Sequence, residues 1–578
     1  MKKIILILGL ISTNLLLAQS NIATLYLNDD SLGGIQSFDN SASGVFSTAF
    51  GYATTSSGHY STALGENSLA SNTYAMSFGN TTSASGYASV AMGNTSIASG
   101  YASVAMGNAT TASGGNSTAF GNQTIASGFY STALGENSIA SALYSMSFGV
   151  QTDASGYASL AMGRATTASG ETSTAIGHQT TASGPFSTAT GYFTEASGDA
   201  STAMGSNTKA SGTGSVASGN ASEATGSYAT AMGMATYATG LGATSMGWNT
   251  NAAGIRSTAI GYLTEALGTN STSTGYLTSA VGTVSTSMGS QTQASGDYSI
   301  AMGYKSKAVG NHSFAIGYGT DEEGNASTGT PYYRNEALGY RSFVIGGRNK
   351  SIGDKSFSIG NDNFSEGLGS GTFGENNITL GNYSFSLGLF NQSNAYGSVS
   401  IGNNVIADGY NTVALGTANT IDLNANPDEW SQSNRAFVIG NGFYDTESAN
   451  ITRSDAFTVW FNGDATIAGN LHVNSDHRLK SNIISLGGTL SKILQIDGKS
   501  YIMKNDNNQK KNIGLLAQDI EKVFPELVTE NNGIKSVNYQ GLVPVLINAL
   551  KEQQSKIETY RNEVDELKEM VQALALRD

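Results

Sequence analysis

The chain has 578 residues, 72 of them glycine and none cysteine, and a net charge of −14. Charged residues make up only 12%, too few for a disordered polyelectrolyte, and the glycine content is too high for an ordinary globular enzyme. The length exceeds what one compact core uses. The missing cysteine removes disulfides, thiolate metal sites, cysteine nucleophiles and a lipidated anchor, and the lack of a basic stripe in the repeats argues against nucleic acid and anionic lipid as partners.

In chain order, the first element is a secretory signal over 1–20. Met1, Lys2 and Lys3 precede an apolar run from Ile4 to Leu10, and Leu15 to Ala18 lead into a small-residue exit. Ser12, Thr13 and Asn14 interrupt the run, which disfavours a membrane anchor. No later segment is apolar enough to span a bilayer, so the mature chain is expected to be exported with no membrane-spanning segment. A short N-terminal segment, 21–40, follows.

Residues 41–417 are a repeat. Glycine occupies every fourteenth position from Gly51 to Gly317, and a second series offset by seven runs from Gly44 to Gly310, failing only at Asn72 and Ala142. After an irregular insertion from Thr320 to Glu336 the seven-residue beat resumes at Gly339 and runs to Gly416, with Ala395 the exception. Ser61–Ser68 recurs as Ser131–Ser138, 70 residues on, so a five-repeat block has been duplicated.

Within each repeat, as in Ser89-Val-Ala-Met-Gly93, the residue two before the glycine is Ala or Ser, and the one directly before it is usually Phe, Leu, Met or Ile. Period-two alternation means strand. The small face lets backbones approach closely and fills a lumen, the large face lies outside, and the glycine ends each strand at a turn of positive φ. Fourteen residues then make one coil of two strands. About 26 coils at about 4.8 Å each give a rod on the order of 125 Å long. A continuous outer stripe of Met, Leu and Phe does not stay in water, so the sequence predicts that parallel chains associate with that stripe facing a shared axis.

Ser103-Val-Ala-Met-Gly107 followed by Ala112-Ser-Gly114 resembles the head repeats of YadA-like trimeric autotransporter adhesins over roughly 41–417. The resemblance implies a left-handed parallel β-roll, trimerised side by side, that adheres to a host or matrix surface. The membrane barrel that ends those adhesins has no counterpart here, which puts anchoring by that route in doubt.

From 418 to 474 the repeat fades into a β-rich neck containing Ala436-Phe-Val-Ile-Gly440 and Ala456-Phe-Thr-Val-Trp-Phe461. Residues 475–578 form the last unit: Ser475-Asp-His-Arg-Leu-Lys480, Gly514-Leu-Leu-Ala-Gln-Asp519, Phe524-Pro-Glu-Leu-Val528, and a final helix. Leu550, Ile557, Val564 and Val571 form one heptad series and Gln553, Tyr560, Leu567 and Leu574 the other, a parallel coiled coil over about 545–576. The heptads alone do not choose between two and three strands. In order and spacing these motifs resemble the intramolecular chaperone of phage endosialidase tailspikes, a trimeric self-cleaving Ser/Lys peptidase. That resemblance implies a trimer, a small α+β chaperone domain, Ser475 as nucleophile, Lys480 as general base, and cleavage between Asn474 and Ser475.

A serine nucleophile needs a base, and a lysine serves when neutral. Bringing a lysine from about 10.4 to near 7 costs roughly 4–5 kcal/mol and implies a dry pocket. Five residues separate Ser475 from Lys480, which puts them on opposite faces of a strand or about 140° apart on a helix. The pair must meet across a bend or between chains.

Other candidates carry less. His59, His178, His312, His472 and His477 lack metal-ligand spacing. Asn361-Asp-Asn-Phe-Ser-Glu366 is oxygen-rich but reads better as a turn than a calcium loop. Glu66 and Glu136 are duplicated copies rather than a facing acid pair. Tyr87, Tyr101 and Tyr157 follow turn glycines and offer either a sugar- or collagen-like contact surface or plain solvent-facing aromatics. No cofactor or metal is expected. The reading that results is a secreted or bacterial cell-surface adhesin whose only chemistry is self-processing. The alternative is a phage-type tail fibre or tailspike acting on surface polysaccharide, disfavoured by the signal sequence and by the lack of an acid cluster in the roll.

Overall fold

The computed structural model describes residues 26–27, 34–37, 39–320, 334–445, 450–504 and 509–576. The expected signal sequence, 1–20, and most of the insertion lie outside them.

Each 14-residue coil has one five-residue strand and one short strand, such as Val90–Asn94 and Ile97–Ala98. Coils stack in parallel and in register: Val90, Ala91 and Met92 pair with Val104, Ala105 and Met106, and Ala98 pairs with Ala112. Twenty-six five-residue strands, from Thr48–Tyr52 to Val413–Thr417, make one face of a β-solenoid, and the short strands make the other. Alternation decides which side chains enter. In one coil Ser89, Ala91, Ser96 and Ala98 are fully buried, while Val90 and Met92 point outward and remain half-buried. The lumen is a column of Ala and Ser, with Thr at positions such as Thr110 and Thr124. In these coils small side chains fill it at the close packing of a protein interior.

The first glycine series has the expected positive φ, but its place in the strand and the role of both series differ from the sequence expectation. Gly93 lies within its strand rather than at its end, at φ 113°, and a Cβ there would sit 2.0 Å from the Gly107 carbonyl oxygen. Gly100, of the second series, needs no positive φ, but a Cβ would lie 1.9 Å from the Gly114 carbonyl. Both are therefore set by close stacking of one backbone on the next. Left-handed turn residues come two positions later and are mostly not glycine, as with Thr95 at φ 52° and Ala102 at φ 50°; Gly214 and Gly242 are among the exceptions. Their amides donate to carbonyls of the preceding coil, Thr95 to Asn80 at 2.8 Å and Ala102 to Tyr87 at 2.7 Å. Surrounding ladders hold this strained conformation in place.

Towards the C-terminal end the lumen changes chemistry. Asn335, Asn349, Asn363, Asn377 and Asn391, each 14 residues apart, are fully buried. Asn363 Nδ2 donates to Asn349 Oδ1 at 3.0 Å and to the Gly374 carbonyl at 2.7 Å, and its Oδ1 accepts the Asn377 amide at 3.1 Å. This internal amide ladder was open to detection from the 14-residue spacing of Asn alone.

The neck closes the roll. Arg435–Asn441 adds one last parallel strand against Val413–Thr417, and Asp455–Trp460 then pairs with it antiparallel. Arg435, 5% exposed, bonds Thr420 and Asp455, with Asp422 3.4 Å away. Arg453 donates to the Asn404 and Asn419 carbonyls at 2.9 and 3.0 Å. These guanidiniums satisfy the free carbonyls of the terminal coil and cover an edge that would otherwise accept another strand.

The C-terminal unit is small and mixed. Helices α1 (Thr489–Ile493) and α2 (Ala517–Val523), two hairpins (Lys499–Ile502 with Lys511–Gly514, and Val528–Asn531 with Ile534–Val537) and the long α3 (Leu542–Ala575) compose it. Ile520, Val523, Phe524 and Val545 form its core. Glu552 of α3 caps α1, accepting the Thr489 and Leu490 amides at 2.8 and 3.0 Å.

Candidate active site

The segment that joins neck to C-terminal unit contains the two residues that sequence reasoning singles out. Asp476 is extended, at φ −62° and ψ 134°, and a single 3₁₀ turn, His477–Leu479, follows before Lys480 returns to extended backbone. The Leu479 amide donates to the Asp476 carbonyl at 3.1 Å and the Lys480 amide to the His477 carbonyl at 3.0 Å. This bend removes the geometric obstacle of a five-residue separation. Lys480 Nζ lies 2.6 Å from Ser475 Oγ within one chain, so no second chain is needed to bring the pair together. Asn474, Ser475 and Lys480 are exposed in the single chain, so the dry surroundings demanded by the chemistry are not supplied by one chain.

Asp476 shapes the bend from its side chain as well. Its carboxylate accepts the Arg478 amide at 2.9 Å, Arg478 Nε at 3.1 Å and Arg478 Nη2 at 2.7 Å. The guanidinium, and then the amide, hold the Asp476 carboxyl below the usual carboxylate range, and the same carboxylate raises Arg478. Sequence reasoning left Asp476 and Arg478 without a role, since a turn of three residues leaves no periodic signal to find them by.

The heptad positions are brought onto one free helix. Val545 and Ala549 pack into the chain's own core. Beyond them Leu550, Ile557, Tyr560, Val564, Leu567, Val571 and Leu574 are all half or more exposed, or nearly so. A 34-residue helix spans about 50 Å, and its apolar seam has no partner in the single chain.

The remaining candidates scatter. His59 Nδ1 accepts the Val45 amide at 3.2 Å, His178 and His312 stack on Tyr192 and Tyr298, and His477 lies beside Asp476; His472 is exposed. In Asn361–Glu366, Asn363 belongs to the buried ladder and Asp362 pairs with Arg348. Among the described residues no group of three or more His, Asp or Glu could hold a metal ion, and no helix is long and apolar enough to cross a membrane. Glu66 and Glu136 are exposed copies on their coils. Tyr87 and Tyr101 stack on each other with ring centroids 5.2 Å apart, and Tyr157 meets Tyr144 edge-on. Phe46, Tyr60, Tyr74, Tyr87 and Tyr101 thus form one self-stacked row along an edge of the roll.

Twelve segments between residues 42 and 320, with 265–279 left out, match the two-copy YadA head domain repeat, and residues 475–529 match the chaperone of endosialidase. The chain thus carries YadA-type head repeats and, towards its C-terminal end, a segment that matches the endosialidase chaperone. Ser475, at the start of the bend, is the first residue of the chaperone match. Two curated relatives are long tail fibre proteins Gp37. That of Salmonella phage S16 is 28% identical over 134 residues, and that of Escherichia phage AR1 is 27% identical over 148 residues. These alignments cover 22% and 23% of this chain and 18% and 13% of the relatives, so the likeness spans less than a fifth of each fibre protein.

Proposed function

We propose that the protein is a trimeric, exported surface fibre whose head adheres to a host or matrix ligand and whose C-terminal unit aligns three chains and then removes itself. The 2.6 Å contact between Lys480 Nζ and Ser475 Oγ, next to the bond to be cut, carries the cleavage part of this reading. With Lys480 neutral, Nζ takes the Oγ proton as Oγ bonds to the Asn474 carbonyl carbon. The Asn474–Ser475 C–N bond then breaks, the ammonium protonates the leaving amine, and water hydrolyses the resulting ester to a carboxylate and a free hydroxyl. The exposure of the pair in one chain fits activation on assembly: partner chains packed around α3 would dry the segment before it fires.

The exposed seam of α3 and the half-buried Met, Leu and Phe stripe of the roll support the trimer, together with the trimeric head and chaperone families. A roll of near-identical coils can slip by a whole coil at little local cost, and a coiled coil at one end sets the chains level. Its later removal leaves a fibre stabilised kinetically, since the nucleating end has gone. Denaturing electrophoresis of wild type, Ser475→Ala and Lys480→Ala tests this. Wild type gives a C-terminal fragment spanning 475–578, both variants stay intact, and all three trimerise. An uncut wild-type trimer would remove cleavage and leave the aligning role alone.

The Gp37 likeness favours a second reading, a phage-type tail fibre. Binding of the purified fibre to glycan and matrix-protein arrays separates the two: a matrix protein or host glycan supports the adhesin, and bacterial surface polysaccharide alone supports the tail fibre.

A further inference from the structure

We infer that Asp476, clamped by Arg478, is a positioning residue for self-cleavage; this rests on the cleavage reading above. Ser475 and Lys480 can meet only because the chain reverses between them, and the reversal is one 3₁₀ turn, His477–Leu479. So short a turn has little stability from its own backbone bonds. Two such bonds are present, from Leu479 to the Asp476 carbonyl and from Lys480 to the His477 carbonyl, and no residue of the turn is buried. Packing therefore does not hold it.

What remains is the Asp476 side chain. Its carboxylate satisfies the Arg478 amide, one of the donors a helix start leaves free, and at the same time takes the Arg478 guanidinium on both oxygens. A planar fork on a carboxylate fixes orientation as well as distance. It ties the residue after the nucleophile to the residue two before the base, so the rotation that would swing Lys480 away from Ser475 is blocked. Neither Asp476 nor Arg478 touches Ser475 Oγ or Lys480 Nζ in the bonds the structure shows. The pair acts through the bend, leaving the chemistry to Ser475 and Lys480.

The test compares cleavage rates of assembled full-length trimers of wild type, Asp476→Ala, Asp476→Asn and Arg478→Ala. Trimer formation and melting are measured for the same substitutions in a non-cleaving Ser475→Ala background. A misplaced base costs on the order of tenfold or more in rate, so Asp476→Ala and Arg478→Ala are expected to slow cleavage by at least that much while the non-cleaving trimers melt as their parent does. Asp476→Asn, which can still accept the Arg478 amide but has lost its charge, is expected to fall between Asp476→Ala and wild type. Wild-type cleavage rates in Asp476→Ala overturn the positioning role and leave self-cleavage standing. A non-cleaving trimer that fails to form or melts early with Asp476→Ala also overturns it, in favour of a folding role. Absence of cleavage in wild type itself overturns both this inference and the reading beneath it.

Discussion

The asparagine column in the C-terminal coils offers a sharp test of how the lumen is held. Replacing Asn363 with Ala removes donors to Asn349 Oδ1, to the Ile359 carbonyl at 3.1 Å and to the Gly374 carbonyl, and removes the acceptor for the Asn377 amide. The Asn377 amide is then left in a fully enclosed position, with no space for the backbone to find a substitute. An unpaired buried donor costs about 1–3 kcal/mol, which is about 5- to 150-fold in a local opening equilibrium. Hydrogen exchange on the intact fibre reads this directly. The Asn377 amide is expected to lose protection by that factor in Asn363→Ala, and the amides two coils towards the N-terminus to stay unchanged. Asn363→Thr, which copies the residue type of Thr110 and Thr124 in the earlier coils, is expected to lose less. Unchanged exchange at Asn377 in Asn363→Ala would show that the ladder contributes nothing to local stability and would refute the reasoning.

Three further outcomes follow from the geometry. Met92→Asp with Met106→Asp puts two carboxylates on the outer stripe and is expected to weaken the trimer, seen by light scattering, while the enclosed Ala91 and Ala105 column keeps its strand signature in circular dichroism; a wild-type trimer would remove the stripe from the interface. Ala102→Gly relieves a left-handed residue and is expected to stabilise its coil by about 1 kcal/mol, whereas Gly107→Ala, whose Cβ would lie 1.9 Å from the Gly121 carbonyl, is expected to disrupt it; equal melting of the two variants contradicts the stacking account. Glu552 is held below its ordinary range by the Leu490 and then the Thr489 amides. A carboxyl depressed on folding contributes stability above its unfolded pKa and loses it as pH falls through the folded value, so docking of α1 on α3 is expected to loosen in acid, as pH falls below the ordinary glutamate range. Glu552→Gln is expected to abolish that acid dependence in a pH titration of α1 amide exchange; an unaltered profile assigns the acid response elsewhere.

Much of the fold was legible because one rule repeats. Ala91 and Met92 alternate in the sequence and fall on opposite sides of the same strand, and the 14-residue period of Gly93 and Gly107 becomes the register itself. The positive φ expected of the first glycine series is present, as at Gly93. The sequence carries no sign that Thr95 and Ala102 are also left-handed, because the force that puts them there is hydrogen bonding to a coil 15 residues away. At the candidate site the identities of Ser475 and Lys480 came from motif resemblance, and their spacing demanded a bend. Which residues make that bend was not legible, since a turn of three residues has no periodicity to read. The Arg435 and Arg453 closure escaped for a related reason: a single arginine in a neck gains meaning only when the carbonyls above it are in place.

The insertion that begins after Thr320 bears on how such a fibre can change. Phe314–Tyr318 pairs with Phe343–Gly347 and Ser306–Ala308 with Asn335–Ala337, an offset of 29 residues, or one coil of 14 plus 15. Extra chain has therefore entered between Thr320 and Asn335 without moving a single strand partner on either side. The 70-residue duplication shows the other permitted change, since five whole coils add length and leave every neighbour as it was. Fibre length and surface decoration are thus independent variables: whole coils set how far the tip reaches, and turn insertions can be exchanged one at a time, so a foreign loop placed between Thr320 and Asn335 should be carried on the shaft without refolding it.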